Sequence, residues 1–465
     1  MGAGVAFLLT VGPPATNVGP GPLGYVWVLV VLTGALWWFA AAGHGRGGVV
    51  RAEVWAGGAL LGWLWLCLLR SGERWDTALA ATALATLALL TAWAWARAVE
   101  PEERPQALLI MLGAAAVGTA LAAWIVPLAL HRGVGWRPGL PIGGASNNAV
   151  GLTLVLAGAL TGRRLWPEQR WLWLGVALVT ALLIVQSLSR AAWVLALVLV
   201  VAAIVRHRHW NLRWGGPAVF LVVAVVLGEL TRRRGLGLFV DEARWHNAAT
   251  GVEAWSGSVG AVLFGVGPMR MWPWMELERR RPGEQFDGPL QYDGPWGTVL
   301  YHAHSTYLEL LVEYGVVGLA LLVVVLALVA RRCVLEIRRG GQLELVAVAV
   351  LLALPAMVVE TYLVRGFPSA FVFWCAVMVV GAGFEAPSSH LNQRGAPSSH
   401  LNQRGAPSSH LNQRRQPGFE ARWRSRLNQR GWGPSRRSAA GGLAPQGPKS
   451  SGGSVAPRPA IGRRF

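Results

Sequence analysis

Apolar runs close to 20 residues long recur along the first 383 positions of this 465-residue chain. That repetition constrains the fold more than any other feature. The hydrocarbon core of a bilayer is about 30 Å thick, so a helix that crosses it needs about 20 consecutive apolar residues. The runs fall near 23–42, 52–69, 77–97, 106–130, 145–161, 171–188, 190–205, 217–230, 305–330, 343–363 and 367–383. The sequence therefore predicts an all-α polytopic membrane protein with about eleven transmembrane helices. Composition excludes the main rivals. Only 14% of residues are charged, against about a quarter in a soluble domain, and 53% are hydrophobic, far too many for a disordered chain. Gly2–Val11 is apolar but short and lacks a basic leader, so it does not read as a signal peptide. Cys67, Cys333 and Cys375 are scattered and suggest neither a disulfide framework nor a zinc site.

Arginine sets the expected orientation, because Lys449 is the only lysine. One alternate set of short loops carries Arg46, Arg51, Arg97, Arg104, Arg163, Arg164, Arg170, Arg206, Arg208, Arg213, Arg331, Arg332, Arg338 and Arg339. The other set carries only Arg70, Arg74, Arg132, Arg137, Arg190 and Arg365. Positive residues accumulate on the cytoplasmic side. The first set is then cytoplasmic, the N-terminus outside and the C-terminal tail inside, in a multi-pass protein of the cell inner (cytoplasmic) membrane.

Four regions follow. Residues 1–230 hold membrane helices one to eight, 231–304 an extracytoplasmic loop, 305–383 helices nine to eleven, and 384–465 a basic tail. The loop has eight arginines and eight acids, so it is close to neutral, and Trp245, Trp255, Trp272, Trp274 and Trp296 give it material for a core. Loops of this length are usually functional or disordered, and the tryptophans favour function. The tail repeats APSSHLNQRG in tandem between Glu385 and Arg414. A polar ten-residue repeat buries no core, and disorder is the expectation. The tail holds 14 of the 42 basic residues and two of the 23 acids, hence most of the net charge of +19. For a membrane protein the nearer partner of such charge is anionic lipid, and no nucleic-acid role is expected.

Chemistry concentrates where the loop meets the next helix, HAHSTYLELLVEYGVVGL from His302. His304 stands at the outer boundary. On a helix it would share a face with Leu308, as Glu309 would with Glu313. Carboxylates inside an apolar span are costly, so these acids face protein or water; Glu313 serves either chemistry or helix packing through a backbone or arginine partner. His302 and His304 diverge by about 200° on a helix and share a metal only where the chain is extended. No neighbouring Cys or His completes a ligand set, and no metal is expected. The outer-face arginines stay charged and suit a phosphate through paired N–H···O bonds. Snorkelling to lipid headgroups is the alternative for each.

These segments together resemble the O-antigen ligase and polysaccharide polymerase superfamily. HSTYLELLVEYGVVGL is similar to its His-Asn-x-x-Leu, then Glu-x-Gly-x-x-Gly-Leu signature, with Ser305 in place of the usual Asn. SLSRAAWVLALVLV resembles the Ser-Arg-Gly/Ala helix start, with Arg190 as its arginine. ARWHNAATGVEAW and LFGVGPMRMW resemble the loop pattern of an arginine, here Arg244, followed by Gly-x-Gly-Pro at Gly265–Pro268. GGASNNAVGLTL supplies a weaker match, with Asn147 or Asn148 at the family's Asn. The matches keep their order across roughly 143–319.

The resemblance implies a GT-C-like helical fold and a polyprenyl-diphosphate-linked glycan donor used at the outer face, without a cofactor. Arg190, Arg244 and Arg365 would hold the diphosphate. His304 would be catalytic, taking a proton from the acceptor hydroxyl. Asn147, Asn148, His302 and Glu313 would support the site. A ligase would transfer the glycan to lipid A-core, the first expectation. A polymerase would use another lipid-linked glycan, and a protein O-oligosaccharyltransferase a protein hydroxyl. Outside that class stands a transporter or flippase of anionic lipids or solutes, with Glu309, Glu313 and Glu360 as coupling groups. It predicts inverted repeats with broken helices, and no such pair occurs in the two halves of the sequence.

Overall fold

The computed structural model describes residues 34, 51–125, 128, 148–187, 189–206, 242–273, 291–361, 363 and 367–380. The expected spans 217–230 and, apart from Gly34, 23–42 lie outside the described residues, as do the tail, Arg132, Arg137, Asn147 and Arg365.

The remaining apolar runs are helical. They form α1 (Arg51–Cys67), α2 (Trp75–Ala98), α3 (Arg104–Ala120, extended by a π turn Leu121–Ile125), α4 (Asn148–Leu165), α5 (Arg170–Gln186) and α6 (Arg190–Arg206). The loop contributes α7 (Glu242–Ser256), α8 (Val259–Phe264) and a hairpin of β1 (Gln291–Gly294) and β2 (Gly297–Leu300). The chain continues through α9 (Thr306–Arg338), α10 (Glu344–Ala356) and α11 (Phe367–Val380). Alanine and leucine dominate α2, the strongest helix formers, and α3 opens with a proline in its first turn, where the missing N–H has no intrahelical partner to lose.

Among the described residues, four helical stretches are long and apolar enough to cross a membrane: Gly72–Ala98, Arg104–Ile125, Pro167–Gln186 and Thr306–Arg338. Trp55–Arg70, Ala191–Arg206, Glu344–Ala356 and Ser369–Val380 are apolar but shorter. The protein is a helical membrane protein, and these four are its helices of full spanning length among the described residues, with part of the expected eleven runs lying outside them. The antiparallel hairpin, paired from Gln291↔Leu300 to Gly294↔Gly297, departs from the all-helical expectation.

Helix α4 is the centre. Residues 151–162 are buried without exception, and α3, α5, α6, α10 and α11 pack around it. Burial on every face marks a core helix rather than a lipid-facing one. Helix α9 packs on α1, α10 and α11 on the membrane side and on α7 and α8 of the loop. The loop has a small apolar core of its own: Ala254, Ala261, Val266, Met271, Trp272, Val299, Ala303 and Val312.

Ion pairs identify one end of the bundle. Glu344, at the start of α10, binds Arg164 of α4 at 2.7 Å and Arg206 of α6 at 3.3 Å. Arg206 also donates to the Ile337 carbonyl near the end of α9 at 2.8 Å. The ends of α4, α6 and α9 therefore meet the start of α10. The starts of α6 and α9 and the end of α10 lie at the opposite end, where the candidate site is assembled.

Candidate functional site

The site rests on a break in α9. Gly315 adopts φ 74° and ψ −179° inside the helix, a left-handed φ that glycine alone takes at little cost. The break opens the preceding carbonyls to new partners. Val266 N–H donates to the Val312 carbonyl at 2.8 Å, and Gly267 N–H to the Glu313 carbonyl at 3.2 Å. The two backbones run so close that a Cβ on Gly315 would strike Leu263 and Gly265, and a Cβ on Gly265 would strike Glu313. Glu313, fully buried, completes the joint: its carboxyl accepts from Met269 N–H at 3.1 Å and Trp272 N–H at 3.2 Å. Backbone donors are what a buried carboxyl needs to offset lost hydration. The Gly-x-Gly-Pro segment and the Glu-x-Gly segment are thus two halves of one contact.

That contact positions α7, whose buried Asn247 binds four groups. Its amide oxygen accepts from Trp272 Nε1 at 2.9 Å and from Leu300 N–H at 3.1 Å. Its amide nitrogen donates to the carbonyls of His302 at 3.2 Å and Ala303 at 3.5 Å. Asn247 therefore holds the strand that leads into His304. Arg244 lies one turn earlier on the same face of α7.

His304 precedes α9 rather than belonging to it. Its φ is 56°, and Ser305 is the N-cap, accepting from Leu308 N–H at 3.2 Å. The expected helical face shared by His304 and Leu308 does not form, because the cap turns the chain one residue later. The non-helical approach brings the His302 and His304 rings to 3.6 Å between centroids. Among the described residues, no three His, Cys, Asp or Glu side chains gather as a metal site.

A third segment closes the site. Helix α10 ends at Ala356, short of the expected 363, so Glu360 lies on the turn beyond it. That turn is fastened to the start of α9. Thr306 N–H donates to the carbonyls of Met357 at 2.8 Å and Glu360 at 3.1 Å, Thr306 Oγ1 to Glu360 O at 2.8 Å, and Ser305 Oγ to Met357 O at 3.3 Å. The buried Glu360 carboxyl takes a hydrogen bond from Ser189 beside the field of Arg244. Ser189 also caps α6, its Oγ accepting from Ala192 N–H at 3.3 Å. Arg190, the next residue, begins that helix.

The electrostatics follow from this crowding. Burial first, then the charges of His302 and Arg244, push the His304 imidazole from 6.5 down to about 2. It is neutral at physiological pH and carries a lone pair for a proton. Burial pushes the Glu360 carboxyl up to about 8, against the opposing pull of Arg244 and Ser189.

Of the expected site residues, His302, His304, Glu313 and Arg244 lie in the assembly around α7 and the start of α9. Arg190 begins α6 next to Ser189, and Asn148 begins α4; Asn147 and Arg365 lie outside the described residues. Sequence reasoning passed over Asn247, read Ser189 only as the serine of the Ser-Arg helix start, and considered Glu360 only as a coupling group of the transporter alternative. Asn247 stands three residues after Arg244, one helical turn, and that spacing was a usable signal. Glu360 stood out as an acid in an apolar run, but nothing local tied it to Ser189 or Arg244.

Residues 175–323 match a family model described as O-antigen ligase. The matched stretch contains Ser189, Arg190, Arg244, Asn247, His304 and Glu313 and ends before Glu360. No curated protein matches the chain.

Proposed function

We propose that this chain, which belongs to the O-antigen ligase/polymerase family, is a membrane glycosyltransferase that moves a polyprenyl-diphosphate-linked glycan to an acceptor hydroxyl on the outer face of the cytoplasmic membrane. The observation that carries the reading is one end of the bundle where Arg244, the start of α6 at Ser189–Arg190, and a neutral, half-buried His304 converge. A lipid diphosphate carries its charge at the depth where a membrane helix begins. The family model's description, O-antigen ligase, supports the ligase reaction over polymerisation or protein glycosylation, and a lipid A-core acceptor is what the sequence resemblance implies for it.

In the proposed reaction the acceptor oxygen attacks the anomeric carbon of the donor sugar. A new C–O bond forms as the bond from that carbon to the diphosphate breaks, and the diphosphate leaves with the electron pair. Arg244 and Arg190 offset the charge that builds on the departing oxygen. The acceptor proton passes to His304, whose Nδ1 is buried without a hydrogen-bond partner among the described residues. An incoming diphosphate works against the effect of Arg244 on His304 and raises its basicity as the donor arrives. The base is strengthened by the substrate it serves.

The test replaces His304→Ala and Arg244→Ala in cells that lack the native gene. General-base removal typically lowers rate by about 10²–10⁴-fold, so surface glycan on the acceptor should fall to background in both. Wild-type glycan levels from correctly inserted variants would remove the assignment. A paired assay with purified lipid A-core or with a second lipid-linked glycan as acceptor separates ligase from polymerase.

A further inference from the structure

Glu360 is 3% exposed, and its Oε2 has no hydrogen-bond partner among the described residues. A buried polar atom without a partner costs about 1–3 kcal/mol, so its retention calls for a role. Its surroundings suggest one. The carboxyl is held by Ser189 at the start of α6, faces Arg244 from α7, and hangs from a turn whose carbonyls are fixed by Thr306 at the start of α9. His302 and His304 stand on the approach to α9 within the field of Arg244, and Glu313 of the same assembly is held by the Met269 and Trp272 N–H groups. All three elements that present proposed reacting groups therefore converge on this one side chain.

We propose that Glu360 is a positioning residue that governs Arg244 for the donor's diphosphate: as a neutral acid hydrogen-bonded to Ser189 it leaves the guanidinium charge to the phosphate oxygens, and as a carboxylate it competes for that charge. The inference rests on the diphosphate reading above and adds a residue beyond the matched family segment. Burial, which keeps the acid protonated up to about pH 8, puts the changeover just above the physiological range. With the carboxylate form unable to bind, the competent fraction falls from about 0.9 at pH 7 to about 0.09 at pH 9, so the apparent Kd rises about tenfold. The terminal phosphate of a monoester diphosphate loses its last proton at about pH 6 to 7, and the charge it gains as pH rises favours binding to Arg244, so ligand ionisation does not mimic the expected fall.

The experiment measures binding of geranylgeranyl diphosphate to the full-length protein in detergent by calorimetry, from pH 6.5 to pH 9.5. Wild type, Glu360→Gln and Arg244→Ala are compared. The proposal expects wild-type affinity to fall about tenfold between pH 7 and pH 9, Glu360→Gln to stay level, and Arg244→Ala to bind weakly throughout. A level wild-type profile, or parallel falls in wild type and Glu360→Gln, overturns the role of Glu360 while the Arg244 result upholds the diphosphate site. Equal binding by wild type and Arg244→Ala overturns the diphosphate site and this inference with it. The wild-type profile alone decides the matter if Glu360→Gln does not fold.

Discussion

Asn247 shows how much one buried amide can hold in place. Its four hydrogen bonds reach the loop core through Trp272, the hairpin through Leu300, and the approach to His304 through two carbonyls. Asn247→Ala strands an indole N–H and a backbone N–H in an apolar interior. Each buried unsatisfied group costs about 1–3 kcal/mol, and a lower melting temperature in detergent together with loss of glycan transfer is expected. Asn247→Asp keeps both acceptor contacts but sets a buried oxygen against the His302 and Ala303 carbonyls that the amide nitrogen served, so lower melting and poor transfer are expected here as well. Glu313 is a different case. The sequence exposed it as an acid in an apolar run, for which both catalysis and packing through a backbone or arginine partner were readings. Its partners, the N–H groups of Met269 and Trp272, lie more than 40 residues upstream, beyond the reach of any local pattern.

At the scale of elements, hydrophobic runs located where most of the described membrane helices begin to within a few residues, because burial of apolar surface is written at every turn. Single dihedral angles are not. The run from 305 to 330 reads as continuous, and nothing in its period reveals that Gly315 leaves the helical region. The break depends on a long-range contact with Leu263–Gly267. Helix α10 shows the same limit. Apolar residues continue past Ala356, yet the helix stops there because the Met357 and Glu360 carbonyls bond to Thr306 instead. Gly315→Ala tests the first case. A left-handed non-glycine residue costs about 1–3 kcal/mol, and here its methyl group also meets the backbone of Leu263 and Gly265. The loop should detach from α9, seen as faster limited proteolysis between Val259 and Trp272 and as reduced transfer.

For the whole molecule, the Glu344 ion pairs and the Glu360 cluster mark opposite ends of the described bundle. The excess of arginine near the Glu344 end predicts, by charge bias, that this end faces the cytoplasm. Cysteines introduced at Gly257 and Gln342, both exposed, test this with a membrane-impermeant thiol reagent on intact spheroplasts. Labelling at 257 but not 342 is expected; the reverse pattern would turn the site to the cytoplasm and end the proposal of transfer at the outer face. Removal of the chain from Pro387 onward should leave transfer unchanged, since a polar repeat buries no core. The joint at Gly315 also bears on engineering. The segment around Val266 and Gly267 shares backbone hydrogen bonds with helix α9, so the two form one cooperative unit and lose structure together. A chimera that grafts this segment from a relative must carry the matching stretch from Val312 to Gly315 with it, or the transplanted piece arrives without the socket that shapes it.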